Sequence, residues 1–334
     1  MTSGRRAVAA GCVVVTLDAR LGPQVPAAAI PPLRAASQIF ADDDVAGPVR
    51  AALGARPLPP PPVDLVALTI EHGPALVLFA NSATSDQATA WLSEGAMMIE
   101  SPTPTGTELL EAVAVMDRLR SPGGCPWDAE QTHGSLRQYL VEECFELLEA
   151  IEDSDRTALR EELGDVLLQV LFHSRLAEED PKDPFAIDEV AGALVTKLVG
   201  RHPHVFAGGD AAVSDASSQQ RRWEELKQAE KRRESSVDGV ALGQPALALA
   251  AKLAQRTARA GLPGDLLPSG GGTGARLFDL AALAKLAGTD PEGDLRAVAR
   301  RFAEDVRVAE QSAREAGVDP AAMDHDTWRR YWPD

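Results

Sequence analysis

Aromatic residues are scarce in this chain of 334 residues: Phe, Trp and Tyr together make up 4% of it. Its core must therefore be built mainly from aliphatic side chains and from an abundant supply of Ala, which favours helix. Cysteine is equally sparse. Cys12, Cys125 and Cys144 are odd in number and far apart, which excludes a disulfide framework and any zinc-type spacing and fits a reducing cytoplasm. No apolar run approaches membrane-spanning length. Arg5 and Arg6 precede a short apolar stretch at Val13 to Val15, too quickly polar for a signal peptide. Positive charge is in deficit, with 33 Lys and Arg against 50 Asp and Glu, a formal net charge of −17. A general nucleic-acid binder needs clustered bases and is excluded, whereas a small anionic ligand is compatible if a metal and a few cations sit locally. No Gly-rich phosphate loop follows any strand-like run, and Ser269 to Gly274 lacks the Gly-Lys-Ser/Thr ending of a P-loop.

The most local deficit lies between Val141 and Asp155, which hold no Lys or Arg but seven acidic residues. Like charges three and four apart oppose a helix unless something offsets them. A divalent cation is the natural offset, since hard cations such as Mg²⁺ take carboxylate oxygens. At helical phasing Leu140, Cys144, Leu147, Leu148 and Ile151 form one apolar stripe, with Glu143 at its edge, Glu146 just beyond and Glu142 further round. Nineteen residues on, Leu159, Leu163, Val166, Leu167 and Val170 repeat the stripe, with Glu162 and Asp165 in the places of Glu143 and Glu146. Two helices of equal phase joined by a short turn, Glu152 to Asp155, pack antiparallel as a hairpin. Their acidic edges then meet, and Glu143, Glu146, Glu162 and Asp165 are the candidate metal ligands. Two amphipathic helices with solvated acidic faces are the plainer alternative.

These residues also carry a family resemblance. Glu142-Glu143-Cys-Phe-Glu146 followed by Glu162-Leu-Gly-Asp165 resembles the EExxE…ExxD signature of the MazG family of nucleoside triphosphate pyrophosphohydrolases. The flanks match too: Gly124-Cys125-Pro126-Trp127-Asp128, Gln131-Thr132-His133, and Arg201-His202-Pro203-His204-Val205-Phe206. The ordered set spans about Leu109 to Arg233. The resemblance implies a mainly α protein with a helical-bundle pyrophosphatase module, dependent on Mg²⁺ with Mn²⁺ as a substitute, and built as a homodimer or larger homo-oligomer. It implies hydrolysis of nucleoside triphosphates to monophosphate and pyrophosphate, in a house-cleaning role against damaged or non-canonical nucleotides. Glu142 or Glu161 would orient the water as a base. Lys197 and Arg201, four apart on a third helix, match nucleotide-contacting positions; Trp223 is a candidate for base contact and Lys227 for phosphate. Trp127 divides between packing on a base and packing in the core.

The rest of the chain is read around this module. Residues 1–101 form a small α/β accessory domain, with strands expected at Val13 to Leu17, Leu65 to Leu68 and Ala75 to Phe79, and helices at Ile30 to Phe40 and Ala83 to Glu94. Some relatives fuse a methylase-like domain at this place; an accessory or oligomerisation domain is the alternative reading. Thr105 and Glu108 have capping-box spacing and open a helix that runs to Arg120. Trp127 and His133 fall in the loop beyond. The catalytic module covers 105–234. Gly164 faces away from the apolar stripe and leaves room for a close neighbour, and a third helix from Ile187 to Val199 turns Val190, Leu194 and Leu198 inward. Residues 240–334 are a degenerate second repeat. It opens a helix at Gln244 to Lys252, then runs through a Pro/Gly loop from Pro263 to Gly274, and of its metal motif only Asp279 remains.

Rival readings are a dCTP/dUTP or phosphoribosyl-ATP pyrophosphohydrolase, which shares the hairpin, and a non-catalytic helical assembly protein with an acidic docking patch. A di-iron carboxylate protein requires a second Glu-x-x-His beside Glu130 to His133, and the chain has none.

Overall fold

The computed structural model describes residues 11–22, 24–58, 64–206, 215, 222 and 234–333. The chain divides into two compact units, residues 1–197 and 198–334.

The first hundred residues of the first unit form a parallel sheet. Its strands are β1 (Val13–Thr16), β2 (Gln38–Ala41), β3 (Arg56–Pro57), β4 (Leu76–Ala80) and β5 (Met97–Ile99), in the order β3-β2-β4-β1-β5. Register places Val13 beside both Val77 and Met97, and Ile39 beside Val77. Strand β4 is buried at every residue, the continuous apolar run expected of a strand covered on both faces. Between the strands lie α1 (Ile30–Ala35), α2 (Gly47–Ala52), α3 (Leu65–His72) and α4 (Asp86–Ser93). Alternation decides which face each side chain joins. Val13, Val15, Val77 and Phe79 pack with Leu33 of α1 and Val49 of α2, while Cys12, Val14, Leu76 and Leu78 pack with Leu65 and Leu68 of α3 and Trp91 of α4. The sheet is thus doubly wound, with two helices on each face.

Two sequence expectations are corrected here. Leu65 to Leu68 is helix, not strand: Asp64 accepts hydrogen bonds from the Val66 and Ala67 amides at 2.9 and 3.2 Å, and this cap starts α3. The helix expected from Ile30 to Phe40 ends at Ala35, and its last residues are strand β2, because Ser37 N–H bonds the Ala75 carbonyl at 2.7 Å and draws the chain into the sheet.

The helical part of the unit contains α5 (Thr107–Arg120), α6 (Pro126–Glu130), α7 (Arg137–Glu152) and α8 (Arg156–Ala177), followed by α9 (Ile187–Arg201) across the unit boundary. The cap of α5 is Gly106 at φ 93°, not the Thr105 to Glu108 box. Glu108 is drawn instead to the Arg20 guanidinium, and Thr107 Oγ1 donates to the Pro104 carbonyl at 2.7 Å. Gly124 then permits a turn no other residue fits, since a Cβ there would lie 2.2 Å from the Leu119 carbonyl oxygen. Beyond it Pro126 starts α6, so Trp127 stands on a short helix and not in a loop.

Met116, Leu136, Leu171, Phe172 and Leu176 make the helical core. All of its α8 residues come from that helix's C-terminal half. Arg120 reinforces this end: it forms a two-pronged ion pair with Glu179 at 2.9 and 3.0 Å and also donates to the carbonyls of Asp128 and Gln131.

In the second unit, Pro203–Phe206 forms α10, followed by α11 (Ala246–Arg259), α12 (Thr273–Leu286), α13 (Pro291–Glu315) and α14 (His325–Tyr331). Its helices meet through small side chains: Ala250, Ala251, Ala254, Ala281, Ala282, Ala309 and Ala313 are buried. The stretch from Pro263 contains one short 3-10 turn, Gly264–Leu266, and α12 begins at Thr273, inside the Gly-rich stretch. Among the described residues no helix is long and apolar enough to cross a membrane.

Trp91 is wholly buried and meets Phe40 edge-on, with ring centroids 6.1 Å apart, while its Nε1 lacks a hydrogen-bond partner. Trp91→Ala should destabilise the sheet-bearing domain by about 3–5 kcal/mol in urea unfolding. Trp91→Phe should cost much less, because it keeps the ring and removes the unpaired N–H.

Candidate metal centre

The expected hairpin is present. Helix α7 ends at Glu152; Ser154, at φ 56°, turns the chain; and Asp155 caps α8 by accepting from the amides of Thr157 and Ala158 at 2.8 and 3.1 Å. The reversal is closed by the Asp155 N–H on the Ala150 carbonyl, 3.1 Å.

This geometry brings Glu143 and Glu146 of α7 against Glu162 of α8. Each offers a carboxylate oxygen within 4.8 Å of the others, and no other such group of three metal-ligating side chains occurs among the described residues. Asp165 stands outside this trio, yet its charge reaches both helices. Desolvation first, then the charges of Asp165, Glu146, Glu162 and Glu142, push the Glu143 carboxyl above its ordinary range. Desolvation, then Glu146, Asp165 and Glu161, do the same to Glu162. Glu162 Oε2 is buried without a hydrogen-bond partner. Buried carboxylate oxygens are normally paired. Three converging carboxylates, one with a buried unpaired oxygen and two with pKa values raised by desolvation and by their neighbours, fit a hard divalent cation.

Glu142 and Glu161, the candidate bases, are exposed and flank the trio in sequence. Trp127 is 49% exposed: its ring meets Tyr139 and Phe172 edge-on, at 6.0 and 6.4 Å, so one side is anchored and the other is open. Lys197 is exposed and Arg201 is buried. Trp223 and Lys227 lie outside the described residues.

The apolar stripes depart from expectation. Leu148, Ile151, Leu163 and Val170 are exposed, as are Leu194 and Leu198 of α9, with no element among the described residues covering them. A Cβ on Gly164 would meet nothing within 4 Å.

Two polar residues escaped the sequence reading. Gln169 and His173 continue the face of α8 that carries Asp165, at spacings of four that a helical wheel would have exposed. Gln169 Oε1 and His173 Nε2 are buried without partners. The His173 ring stacks on His133, with centroids 5.1 Å apart and Nδ1 atoms 2.8 Å apart. Burial, then His133, lowers the pKa of His173. One ring must therefore donate and the other accept.

Comparison with known proteins matches two segments of the chain. Residues 131–206 match the family model described as MazG nucleotide pyrophosphohydrolase domain, and residues 12–99 match the one described as MazG N-terminal domain. A Mycolicibacterium smegmatis protein named nucleoside triphosphate pyrophosphohydrolase is 44% identical over 274 residues, 78% of this chain and 80% of its own. A Mycobacterium tuberculosis protein of the same name is 40% identical over 271 residues, 78% of this chain and 79% of its own. An uncharacterised Streptomyces cacaoi protein is 53% identical over 206 residues, 61% of this chain and 84% of its own.

Carboxyls held above their ordinary pKa favour the folded state when protonated. Their contribution is complete below the unfolded value and is lost as pH rises through the folded one. In a chelator, thermal stability should therefore fall as pH rises above the ordinary glutamate value of 4.5. Glu162→Gln should flatten that fall, and added Mg²⁺ should reverse it near neutral pH; equal slopes in variant and parent would contradict the shifts.

Proposed function

This chain belongs to the MazG family, and from the site it carries we propose that it is a Mg²⁺-dependent nucleoside triphosphate pyrophosphohydrolase, with Mn²⁺ as a substitute ion. The observation that carries the proposal is the trio Glu143, Glu146 and Glu162, with an unpaired buried oxygen, on a hairpin inside the family-matched segment. The names of the mycobacterial relatives support the same reaction.

In this reading Glu143, Glu146 and Glu162 hold the ion, with Asp165 as the fourth carboxylate. When bound, such an ion neutralises triphosphate charge and lowers the pKa of a water. Glu142 or Glu161, both exposed beside the trio, takes the proton of the attacking water. The water oxygen bonds to phosphorus as the α–β anhydride breaks, and pyrophosphate and a nucleoside monophosphate separate. Lys197, Arg201 and Lys227 steady phosphate oxygens as charge moves. Trp127, with one edge anchored and its other side open, offers a face for the base, and Trp223 is assigned the same task. The module for this chemistry is 105–234, with 1–101 as an accessory domain and 240–334 as a repeat that has lost its ligands. The cellular role that fits is removal of damaged or non-canonical nucleotides in the cytoplasm.

A second copy of the chain completes this arrangement. Val141, Phe145, Leu148, Ile151, Leu163 and Val170 leave an apolar surface on both helices of the hairpin. Contiguous apolar surface on that scale marks an interaction site. A homodimer covers it with the same surface of its partner, as two-fold symmetry requires.

Three outcomes test the proposal. Turnover should depend on Mg²⁺ and release pyrophosphate; orthophosphate from the same substrate would refute it. Glu146→Gln should abolish turnover while helical circular dichroism is unchanged. Ile151→Glu with Leu163→Glu should convert a sedimenting dimer to monomer and lower activity; an unchanged sedimentation coefficient would place the contact elsewhere.

A further inference from the structure

We propose that the sheet-bearing domain holds a second small-molecule site, built for a phosphate-free ligand of nucleoside size. The site is the cavity of about 850 Å³ at the carboxyl ends of β4, β1 and β5. The proposal concerns a different domain from the carboxylate hairpin and does not rest on the reaction assigned there.

Topology selects the place. The connection after β1 leads to β2, toward one edge of the sheet, and the connection after the adjacent β4 leads to β5, toward the other. The two connections cross there on opposite faces of the sheet, α1 on one and α4 on the other, so the face to which the chain turns reverses between β4 and β1. Open α/β sheets bind ligands in the crevice that such a reversal leaves at the carboxyl ends of the strands. The same topology offers a second crevice, between β2 and β4, but there the loops close on each other. Asp44 accepts from the Asn81 amide at 3.1 Å, and Ser85 Oγ donates to Asp42 at 2.6 Å. The β1 crevice is open, and its volume falls within the range of about 300–1,000 Å³ usual for small-molecule sites.

Chemistry selects the ligand. Asp18, Glu100 and Glu111 bring three carboxylates to the lining. Arg20 is the one cation among the described lining residues, and its guanidinium is already engaged: Nε and Nη2 each lie 2.9 Å from an Asp18 oxygen, and Nη1 bonds Glu108. A phosphate would meet net negative charge and no uncommitted base. Asp18 is equally engaged, with Arg20 and with the Thr103 hydroxyl, so Glu100 and Glu111 are the carboxylates left to accept hydrogen bonds. They ask for a ligand rich in O–H and N–H donors, uncharged or positive. Ser101 Oγ adds a polar atom that is buried without a partner, while the Ser82 hydroxyl is paired with that of Thr84. Leu17, Ala83 and Pro102 supply an apolar surface on which a flat ring can lie. A ribonucleoside combines these needs: a vicinal diol donates twice to a carboxylate, and the base covers the apolar wall.

The test is calorimetric titration of the full chain in excess EDTA with adenosine, guanosine, cytidine and uridine, each beside its monophosphate. At least one ribonucleoside should bind, and its monophosphate should bind about tenfold more weakly or not at all. Glu100→Gln or the cavity-filling Ala83→Phe should weaken the ribonucleoside by about tenfold. Glu146→Gln should leave it unchanged, which separates this site from the hairpin. The proposal is overturned if no ribonucleoside binds at up to about 5 mM. It is also overturned if the monophosphates bind more tightly, or if neither cavity variant moves the affinity. None of those results bears on release of pyrophosphate from triphosphates.

Discussion

Mutual repulsion among carboxylates is the constraint to which the rest of the first unit answers. Glu143, Glu146 and Glu162 converge within 4.8 Å, and the neighbouring charges that act on Glu143 and Glu162 are all acidic. Left to itself, such a cluster would splay into solvent. Here it is held by the turn at Ser154 and Asp155 on one side and by the buried C-terminal half of α8 on the other. The core of Met116, Leu136, Leu171, Phe172 and Leu176 fixes that half, and Arg120 clamps its end through Glu179. The fold thus places the stabilising contacts at one end of α8 and the repulsion at the other. A site that stores repulsion without its ion gains most from binding one.

The hairpin could be read in the sequence because its information is local. Ligand spacing, stripe phase and turn length all lie within about thirty residues, and helix periodicity converts them directly into geometry. The same reasoning overreached where the outcome depended on distant partners. It gave the Leu140 to Ile151 and Leu159 to Val170 stripes a covered face, although Ile151 and Leu163 are exposed and nothing among the described residues covers them. It drew Glu108 into a local capping box, although Arg20, far away in sequence, competes for that carboxylate and wins. Leu65 to Leu68 failed for another reason: four apolar residues suit strand or helix equally, and the cap at Asp64 decides. Gln169 and His173 were missed because they bear no motif, only a spacing of four from a residue that does.

The sheet-bearing domain shows the converse. Its strands are short apolar runs, yet their order, β3-β2-β4-β1-β5, appears in no local pattern. That order alone puts the loops after β1, β4 and β5 side by side and gathers Asp18, Ser82 and Glu100 around one cavity. None of these residues belongs to a recognisable motif. Sites made by topology are therefore invisible to a scan along the chain, whereas sites made on one hairpin are not.

The second unit packs without acidic residues at its seams. Its helices meet through Ala250, Ala254, Ala281, Ala282, Ala309 and Ala313, small residues that let backbones approach closely. Asp279 is exposed on α12 and joins no trio of metal-ligating side chains among the described residues. Leu280, Leu283, Val298 and Phe302 remain on the outside. A large exposed aliphatic gains nothing for an isolated chain in water. Such a surface gains its free energy only when something covers it. Packing in this unit thus rests on small buried residues, and its large apolar side chains are left at the surface.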